Sequence, residues 1–272
     1  MKAVCLIENT MGAEGCLYEH GLSVYIETEK HRILADTGAS EGFIHNAGLL
    51  GIDLEKVDTV VLSHGHYDHS GGIIPFSKLN GKADIFMQRT ACDGYYHVYP
   101  DSEKYIGIDE RIKKLERVKM LDGGFKIDNE LEVFSGISER RFQPEGNSVL
   151  KRKTDSGFIE DDFRHEQYLV IRSEGKTLLV SGCAHNGIVS ILDRFRQLYG
   201  SDPDMVISGF HTMKKDGYSE SDISLVKDIA GELMKTDIRF FTGHCTGEEP
   251  CRIMKEMMGG QLTVMHSGEV LF

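Results

Sequence analysis

The stretch that decides the fold is Val57-Asp58-Thr59-Val60-Val61-Leu62, followed by Ser63-His64-Gly65-His66-Tyr67-Asp68-His69-Ser70-Gly71-Gly72. The apolar run predicts a buried strand, and four potential metal ligands follow it within positions 64–69. Because residues i and i+2 of an extended segment point to the same side, His64 and His66 can bind one ion. Asp68 and His69 follow where the chain turns, so they can face a second ion.

The glycine pair after this loop, Gly71-Gly72, is expected to let the backbone pass close to the ions and begin a helix. The alternative interpretation is a solvated polar loop with scattered histidines. The position of the cluster, where a loop leaves a strand, favours a metal site, because chemistry in α/β proteins concentrates there.

Composition narrows the class of protein. A chain of 272 residues with 40% hydrophobic content is long enough for a substantial core, as one large domain or two small ones. The formal net charge of -12 argues against nucleic acid or an anionic membrane as the main partner. Residues 1–8 read as a first strand rather than a secretory signal. Six cysteines without Cys-x-x-Cys pairs indicate a reduced, cytoplasmic setting.

Hydrophobic periodicity predicts strands and helices along the whole chain. The predicted strands are Ala3–Ile7, Leu22–Thr28, Arg32–Ala35, Val57–Leu62, Asp84–Met87, Phe125–Ile127, Leu131–Phe134, Tyr168–Arg172, Thr177–Val180, Met205–Ile207, Ile238–Phe241 and two more at the end. The predicted helices are Glu41–Leu49, Gly72–Leu79, Asp109–Glu116, Ile188–Tyr199, Ser219–Lys235 and Glu249–Met258. This order favours an α/β (α+β) fold, an αββα sandwich of four layers formed by one domain over residues 1–272.

The segment 137–165 differs from the rest, with weak periodicity and charge in blocks. It is either a solvated surface loop or a flap that carries an anion-binding patch over the site. The basic residues of that patch are Arg140, Arg141, Lys151, Arg152 and Lys153.

Three later histidines share one context, since each follows an apolar strand and a turn of small residues. They are His185, His211 and His244. Strand ends at one edge of a sheet converge, so all three can meet the 64–69 loop. His185 and His244 are candidate ligands, whereas His211 is a candidate ligand, substrate contact or catalytic group.

The pattern resembles the metallo-β-lactamase superfamily, whose loop reads His-x-His-x-Asp-His and whose fold is an αββα sandwich. The resemblance covers essentially the whole chain, including Asp36-Thr37-Gly38 upstream. It implies that metal one is bound by His64, His66 and a later histidine, and that metal two is bound by Asp68, His69 and the final histidine. By order, His185 and His244 match those later positions. Asp36 matches a carboxylate that orients a ligating histidine.

The chain departs from the superfamily pattern at one ligand. Many hydrolases of the superfamily carry an aspartate that bridges both metals, and Cys183 stands at the corresponding strand end. Cys183 can ligate as a thiolate or lie beside the metals. The usual separate motif for the third histidine is missing from residues 161–167, so either His185 or His165 completes site one.

Several short sequence segments, the phrases given below, resemble those of one subgroup of the superfamily. It is the family of the archaeal synthase that joins a dihydropterin to ribofuranosylaminobenzene 5'-phosphate. Many of its bacterial members are called only metal-dependent hydrolases. The phrases are Glu19-His20-Gly21-Leu22-Ser23, the 63–69 loop, Ser181-Gly182-Cys183-Ala184-His185, Gly209-Phe210-His211 and Thr242-Gly243-His244-Cys245-Thr246-Gly247. Glu19 and His20 are candidate substrate contacts, with an ordinary turn as the alternative.

The first hypothesis is therefore an enzyme with one or two divalent ions, zinc first and manganese or iron as alternatives. Its substrate would be a small anionic molecule, phosphorylated or pterin-like. In a hydrolysis, a metal-activated water would attack the substrate and Asp68 would accept the proton of that water. In a coupling reaction, the substrate would instead lose pyrophosphate. A generic zinc hydrolase of phosphodiesters or lactones is the nearest alternative. A di-iron redox protein and a metal sensor that uses Cys183 and Cys245 are further ones. The sequence leaves the substrate, metal identity and oligomeric state open.

Overall fold

The computed structural model describes all 272 residues. Its strands, β1 to β17 in chain order, are Lys2–Ile7, Ser23–Glu27, Arg32–Ala35, Thr59–Val61, Asp84–Gln88, Gly94–Val98, Glu103–Tyr105, Val118–Leu121, Phe125–Lys126, Leu131–Ser135, Leu150–Thr154, Gly157–Glu160, Gln167–Ser173, Lys176–Ser181, Met205–Ser208, Arg239–Thr242 and Leu262–Val264. Its helices, α1 to α6, are Gly42–Leu49, Tyr67–Ser70, Ile73–Leu79, Ile188–Tyr199, Glu220–Leu233 and Glu248–Met258.

Two large sheets form the centre of the molecule. The first has six strands in the order β1-β2-β3-β4-β5-β8, and the second has seven in the order β17-β16-β15-β14-β13-β10-β9. A hydrophobic cluster that includes Val24, Val61, Val180 and Phe241 lies between them. Strands such as β1, β4 and β13 are buried at nearly every position, so that each sheet buries both faces, one against the other sheet and one against helices.

The outer faces of both sheets are covered by helices. Phe43 of α1 and Phe76 of α3 pack on the first sheet, whereas Phe195 of α4, Ile229 of α5 and Met254 of α6 pack on the second. The predicted αββα sandwich is therefore confirmed. None of the helices is long and apolar enough to cross a membrane.

Parallel pairing brings the carboxyl ends of several strands to one edge. In the first sheet β3 and β4 are parallel, and in the second β14, β15 and β16 are parallel. These strands end at Ala35, Val61, Ser181, Ser208 and Thr242. The segments that follow these five ends carry all the candidate ligands except His165, so the topology collects them at a single edge.

A third sheet was not predicted. Strands β6, β7, β11 and β12 pair in the order β12-β11-β6-β7, and we call them the cap sheet. Most of the second half of the predicted 137–165 flap is thus the β11–β12 hairpin. A short 3-10 helix, Glu145–Val149, precedes this hairpin.

Two further predictions of secondary structure were wrong. The helix expected at Asp109–Glu116 is only a 3-10 turn at Ile112–Lys114, because the Asp109 side chain accepts a hydrogen bond from the Arg111 amide and favours a turn. Of the two strands expected at the end, only β17 forms. Beyond it the chain makes single bridges from Ser267 and Val270.

Candidate metal centre

The ligand loop after β4 is held by a close backbone approach. A Cβ atom on Gly71 would lie 2.1 Å from the Ala39 carbonyl oxygen, and one on Gly72 would lie 2.2 Å from that of Thr37. Because neither glycine has a side chain, the backbone can contact residues 37–39, and the predicted helix begins directly after the pair, at Ile73. The contact packs the ligand loop against the turn that carries Asp36.

Three buried imidazoles face one another at site one. The ring centroids of His64, His66 and His185 lie 4.6 to 5.0 Å apart. The Nε2 atom of each ring is buried and has no hydrogen-bond partner. Burial lowers the pKa of His64 and His185 well below the usual value, and it lowers that of His66 to about 3. Neutral imidazoles with unpartnered nitrogens are the donors that zinc and similar ions require.

Hydrogen bonds at Nδ1 leave the Nε2 lone pairs of site one free. The Ser63 hydroxyl donates to Asp36 at 2.6 Å, so its oxygen accepts from His64 Nδ1 at 2.8 Å. Asn147 donates its amide to the His185 carbonyl at 2.8 Å, and its side-chain oxygen accepts from His185 Nδ1 at 2.9 Å. Partners of this kind orient a ligating ring and fix its tautomer.

His165, the alternative third ligand, has both ring nitrogens engaged. The Gly65 amide donates to its Nδ1 at 2.9 Å, so Nε2 carries the proton and donates to Asp161 at 3.1 Å. The ring is fully buried, beside His66. The geometry therefore favours His185 over His165 at site one.

Site two contains four donor atoms, one of which is Nε2 of His69. This atom lies 3.1 Å from His244 Nε2, 3.2 Å from Cys183 Sγ and 3.6 Å from Asp68 Oδ2. The Asp68 oxygen is also 3.4 Å from His244 Nε2. Ligands of a tetrahedral zinc ion with bonds of 2.0 to 2.3 Å stand about 3.3 to 3.8 Å apart. The measured separations, 3.1 to 3.6 Å, are close to this range.

Site two also has Nδ1 partners that turn both Nε2 atoms inward. Asp36 accepts from His69 Nδ1 at 2.6 Å, and Asn9 accepts from His244 Nδ1 at 2.8 Å. Two facing lone pairs at this distance repel unless a cation lies between them. Burial opposes protonation of His69, but the Asp36 and Asp68 carboxylates raise its pKa to about 9. The site thus favours a positive charge, which a metal ion would supply.

Cys183 lies between the two sites. Its sulfur belongs to a group with His64 and His185 and to another with His69 and His244, with the ligand atoms of each group within 4.8 Å of one another. Burial raises the pKa of its thiol, and the Cys245 thiol donates to its carbonyl oxygen. The position is the one where the resemblance expects a bridging aspartate, and the geometry suits a bridging thiolate.

The site uses left-handed backbone at residues other than glycine. Asp36, Ala184, His211 and His244 have φ angles of 51° to 59°. Such a conformation costs of order 1–3 kcal/mol at each residue and concentrates at functional sites. All four follow strand ends, so the strain accompanies the turns that aim side chains into the centre.

His211 lies beside site one without joining it. Its ring centroid is 4.1 Å from that of His185, and its buried Nδ1 has no partner. The one group of potential ligands that includes it contains Cys183 and Cys245 but none of the three site-one histidines. Its part as a substrate contact or catalytic group stays a prediction.

Glu19 and His20, which lie shortly before β2, point to different places. Glu19 accepts hydrogen bonds from the amides of Ala39 and Ser40 at 2.9 and 3.0 Å, so it stabilises the turn before α1. His20 reaches the centre, where its half-exposed ring places Nε2 3.4 Å from Asp68 Oδ2. Asn9 donates to His20 Nδ1 at 3.3 Å, which leaves the proton on Nε2 and makes His20 a donor toward Asp68.

The basic residues of the expected anion patch are not gathered at the centre. Their contacts are Arg140 with the Asp162 carbonyl, Arg141 with Asp193 and Glu232, Lys151 with Glu160, Arg152 with Asp93, and Lys153 with Glu103. Four of the five cations thus have an acidic side chain as partner, whereas Arg140 donates to a backbone carbonyl. These five residues therefore do not form one free cationic patch, and their part in substrate binding stays a prediction.

Several supporting residues were missed in the sequence. Besides Ser63, Asn9 and Asn147, the buried carboxylate of Glu166 accepts from the His185 amide at 2.6 Å, and that of Glu8 accepts from the His244 amide at 3.1 Å. A buried acid directly after an apolar strand, as at Glu8, is a signal that could have indicated such a role. No local pattern marks the two asparagines.

Comparisons with known proteins agree with this geometry. A family model described as the metallo-beta-lactamase superfamily matches residues 19–231. An uncharacterised protein of Methanocaldococcus jannaschii is 29% identical over 253 residues, which cover 89% of each chain. The 7,8-dihydropterin-6-methyl-4-(beta-D-ribofuranosyl)-aminobenzene-5'-phosphate synthase of the same organism is 27% identical over 289 residues, which cover 100% of this chain and 96% of the synthase.

Solved structures show the same relationship. A metal-dependent hydrolase of the beta-lactamase superfamily superposes with a TM-score of 0.82 at 27% identity, over 100% of this chain and 99% of the other. The metallo-beta-lactamase fold protein YhfI from Bacillus subtilis superposes with a TM-score of 0.58 at 16% identity, over the full length of both chains. The second likeness concerns the fold alone.

Proposed function

This chain belongs to the metallo-beta-lactamase superfamily, and we propose on that basis that it is a metal-dependent enzyme whose substrate is a small anionic molecule, phosphorylated or pterin-like. The observation that most strongly supports this proposal is that the buried Nε2 atoms of His64, His66 and His185 have no hydrogen-bond partners. A buried polar atom without a partner is costly, and three that converge call for a shared cation.

Two ions fit the donor sets, with zinc proposed first and manganese or iron as alternatives. When bound, such ions supply Lewis acidity to a phosphoryl or carbonyl group and stabilise the charge that develops on it. The chain itself orients the ligands through Asp36, Ser63, Asn9 and Asn147. His211 presents an unpartnered nitrogen, and His20 a donor, at the edge of the centre where a substrate would enter.

Two reactions are consistent with this site. Similarity to the synthase along the whole chain supports a coupling reaction, in which an arylamine phosphate attacks a pterin pyrophosphate and pyrophosphate leaves. Similarity to a metal-dependent hydrolase, with a TM-score of 0.82, supports hydrolysis as the second candidate. The replacement of the bridging aspartate by Cys183 favours the first, because it alters the site at the ligand that hydrolases of the superfamily share.

The test begins with metal analysis of the purified protein, followed by assays with a pterin pyrophosphate and an arylamine phosphate, a phosphodiester and a lactone. His64→Ala and Asp68→Asn are expected to lose metal and to reduce turnover at least about 100-fold. The matched control is His45→Ala, since this histidine lies exposed on α1. A His64→Ala enzyme with full metal content and full activity would contradict the proposal. Iron absorption with electron transfer in place of these reactions would point to the redox alternative.

A further inference from the structure

The cap sheet has one face toward the metal centre and one toward solvent. Tyr95 and Leu150 pack with Phe163 in a small buried cluster, and Tyr67 of α2 lies against it. Residues directly opposite each other on neighbouring strands share a face. His97 is opposite Leu150 on one side and opposite Lys104 on the other, so both basic residues lie on the inner face.

This inner face brings a free positive charge close to the ligand loop. The Lys104 Nζ atom lies 5.0 Å from the ring centroid of Tyr67, the residue between His66 and Asp68. The His97 ring stacks on Tyr99 with centroids 4.0 Å apart, and its Nδ1 is buried without a partner.

A second free charge comes from the loop after His211. The Met213 amide donates to the Cys245 carbonyl at 2.9 Å, which anchors this loop beside the metal centre. Lys215 follows two residues later, in an exposed position from which its charge acts on His97. Burial lowers the pKa of His97, and the charges of Lys215 and Lys104 lower it further, with no carboxylate acting against them.

The absence of counter-charges distinguishes these two lysines from their neighbours. Lys153 and Lys214 pair with carboxylates, whereas neither Lys104 nor Lys215 has an acidic partner within 4.0 Å. In a chain with a net charge of -12, the cross-strand pair of Lys104 and His97, with the charge of Lys215 acting on the same unpartnered imidazole, favours the binding of an anion there.

We propose that Lys104, His97 and Lys215 form a phosphate subsite under the cap sheet, at the mouth of the metal centre. The subsite rests on the proposed function and specifies how the substrate is oriented. The reacting group of the substrate lies at the metal ligands, and its phosphomonoester end lies against the two lysines. Ammonium groups form charge-assisted hydrogen bonds with phosphate oxygens, and a neutral imidazole adds a donor or an acceptor.

The test measures binding of inorganic phosphate to metal-loaded protein by titration calorimetry. Lys104→Gln with Lys215→Gln is expected to weaken binding by at least about ten-fold, whereas the matching arginine double variant keeps it. Lys153→Gln is the matched control, because this lysine lies on the outer face over the Tyr96 ring and leaves binding unchanged. Metal content is measured in every variant.

Phosphate binding that the double glutamine variant retains at equal metal content would overturn the subsite, since the metal ions alone would then hold the anion. An equal loss in Lys153→Gln would overturn it as well, because general electrostatics would explain the effect. Phosphate binding that depends on both lysines in a protein without turnover supports the subsite and contradicts only the proposed function.

Discussion

At the scale of single residues, the partner of each Nδ1 atom decides which histidines can bind a metal ion. Asn147 and Asn9 occupy that nitrogen in His185 and His244, whereas His165 uses both of its nitrogens in hydrogen bonds. Asn147 is 38 residues from His185 and Asn9 is 235 residues from His244. The sequence could therefore propose both His185 and His165, but the choice depends on contacts that no local pattern shows.

Asn147→Ala is expected to lower metal affinity at site one about 10- to 100-fold, because His185 loses the group that fixes its ring and its backbone. Competition with a chromophoric chelator measures the affinity. Asn129→Ala, in an exposed turn, is the control and keeps wild-type affinity. Unchanged affinity in Asn147→Ala would show that packing alone orients His185.

Cys183 leads to a spectroscopic prediction. If its sulfur bridges the two sites, protein loaded with cobalt should show a thiolate-to-metal charge-transfer band that is lost in Cys183→Ser. Cys251→Ser removes another buried thiol, on α6 and outside the metal groups, so the band should persist there. A band that survives in Cys183→Ser would exclude Cys183 as a ligand.

At the scale of elements, the ligands are collected by strand ends. The repeated pattern of strand, small residue and histidine correctly predicted strands before His185, His211 and His244, since β14, β15 and β16 are buried and apolar. The turns themselves were beyond local reasoning. Ala184, His211 and His244 adopt left-handed φ angles in these turns, which residues other than glycine rarely do.

The contact between the ligand loop and the Asp36 turn can be tested at Gly71. Its φ of -60° suits any residue, so Gly71→Ala acts only through the clash of the new methyl group with the Ala39 backbone. We expect a loss of about 3 kcal/mol in the free energy of unfolding and weaker metal binding, measured by denaturant titration and chelator competition.

The matched control for this clash is Gly81→Ala. A Cβ atom at that exposed glycine would meet no atom within 4 Å, so its stability should stay within about 0.5 kcal/mol of the wild type. Equal stability of the two variants would mean that the loop and the turn separate easily.

At the scale of the whole molecule, the four layers follow from apolar periodicity, whereas the cap sheet does not. Strands β6 and β11 pair although more than 50 residues separate them in sequence, and their outer face is polar and aromatic. Short strands with long-range partners and one exposed face carry weak local signals. Charge blocks therefore suggested an anion patch where the structure forms ion pairs, one of which, Lys151 with Glu160, spans the β11–β12 hairpin.

His31 connects the two large sheets at a distance from the metal ligands, and its contribution to stability depends on pH. It bonds Asp58, before β4, and Asp128, before β10, both at 2.8 Å. Burial opposes the charge, but the two carboxylates raise the pKa of His31. The stabilisation by His31 is therefore complete below the unfolded pKa of about 6.5 and is lost as pH rises through the higher folded value.

His31→Ala should lower the free energy of unfolding by about 1–2 kcal/mol at pH 6 and by clearly less at pH 9, measured by denaturant titration of metal-saturated protein. His45→Ala, on the surface of α1, should show no such difference, and an equal cost of His31→Ala at both pH values would contradict a charged link between the sheets.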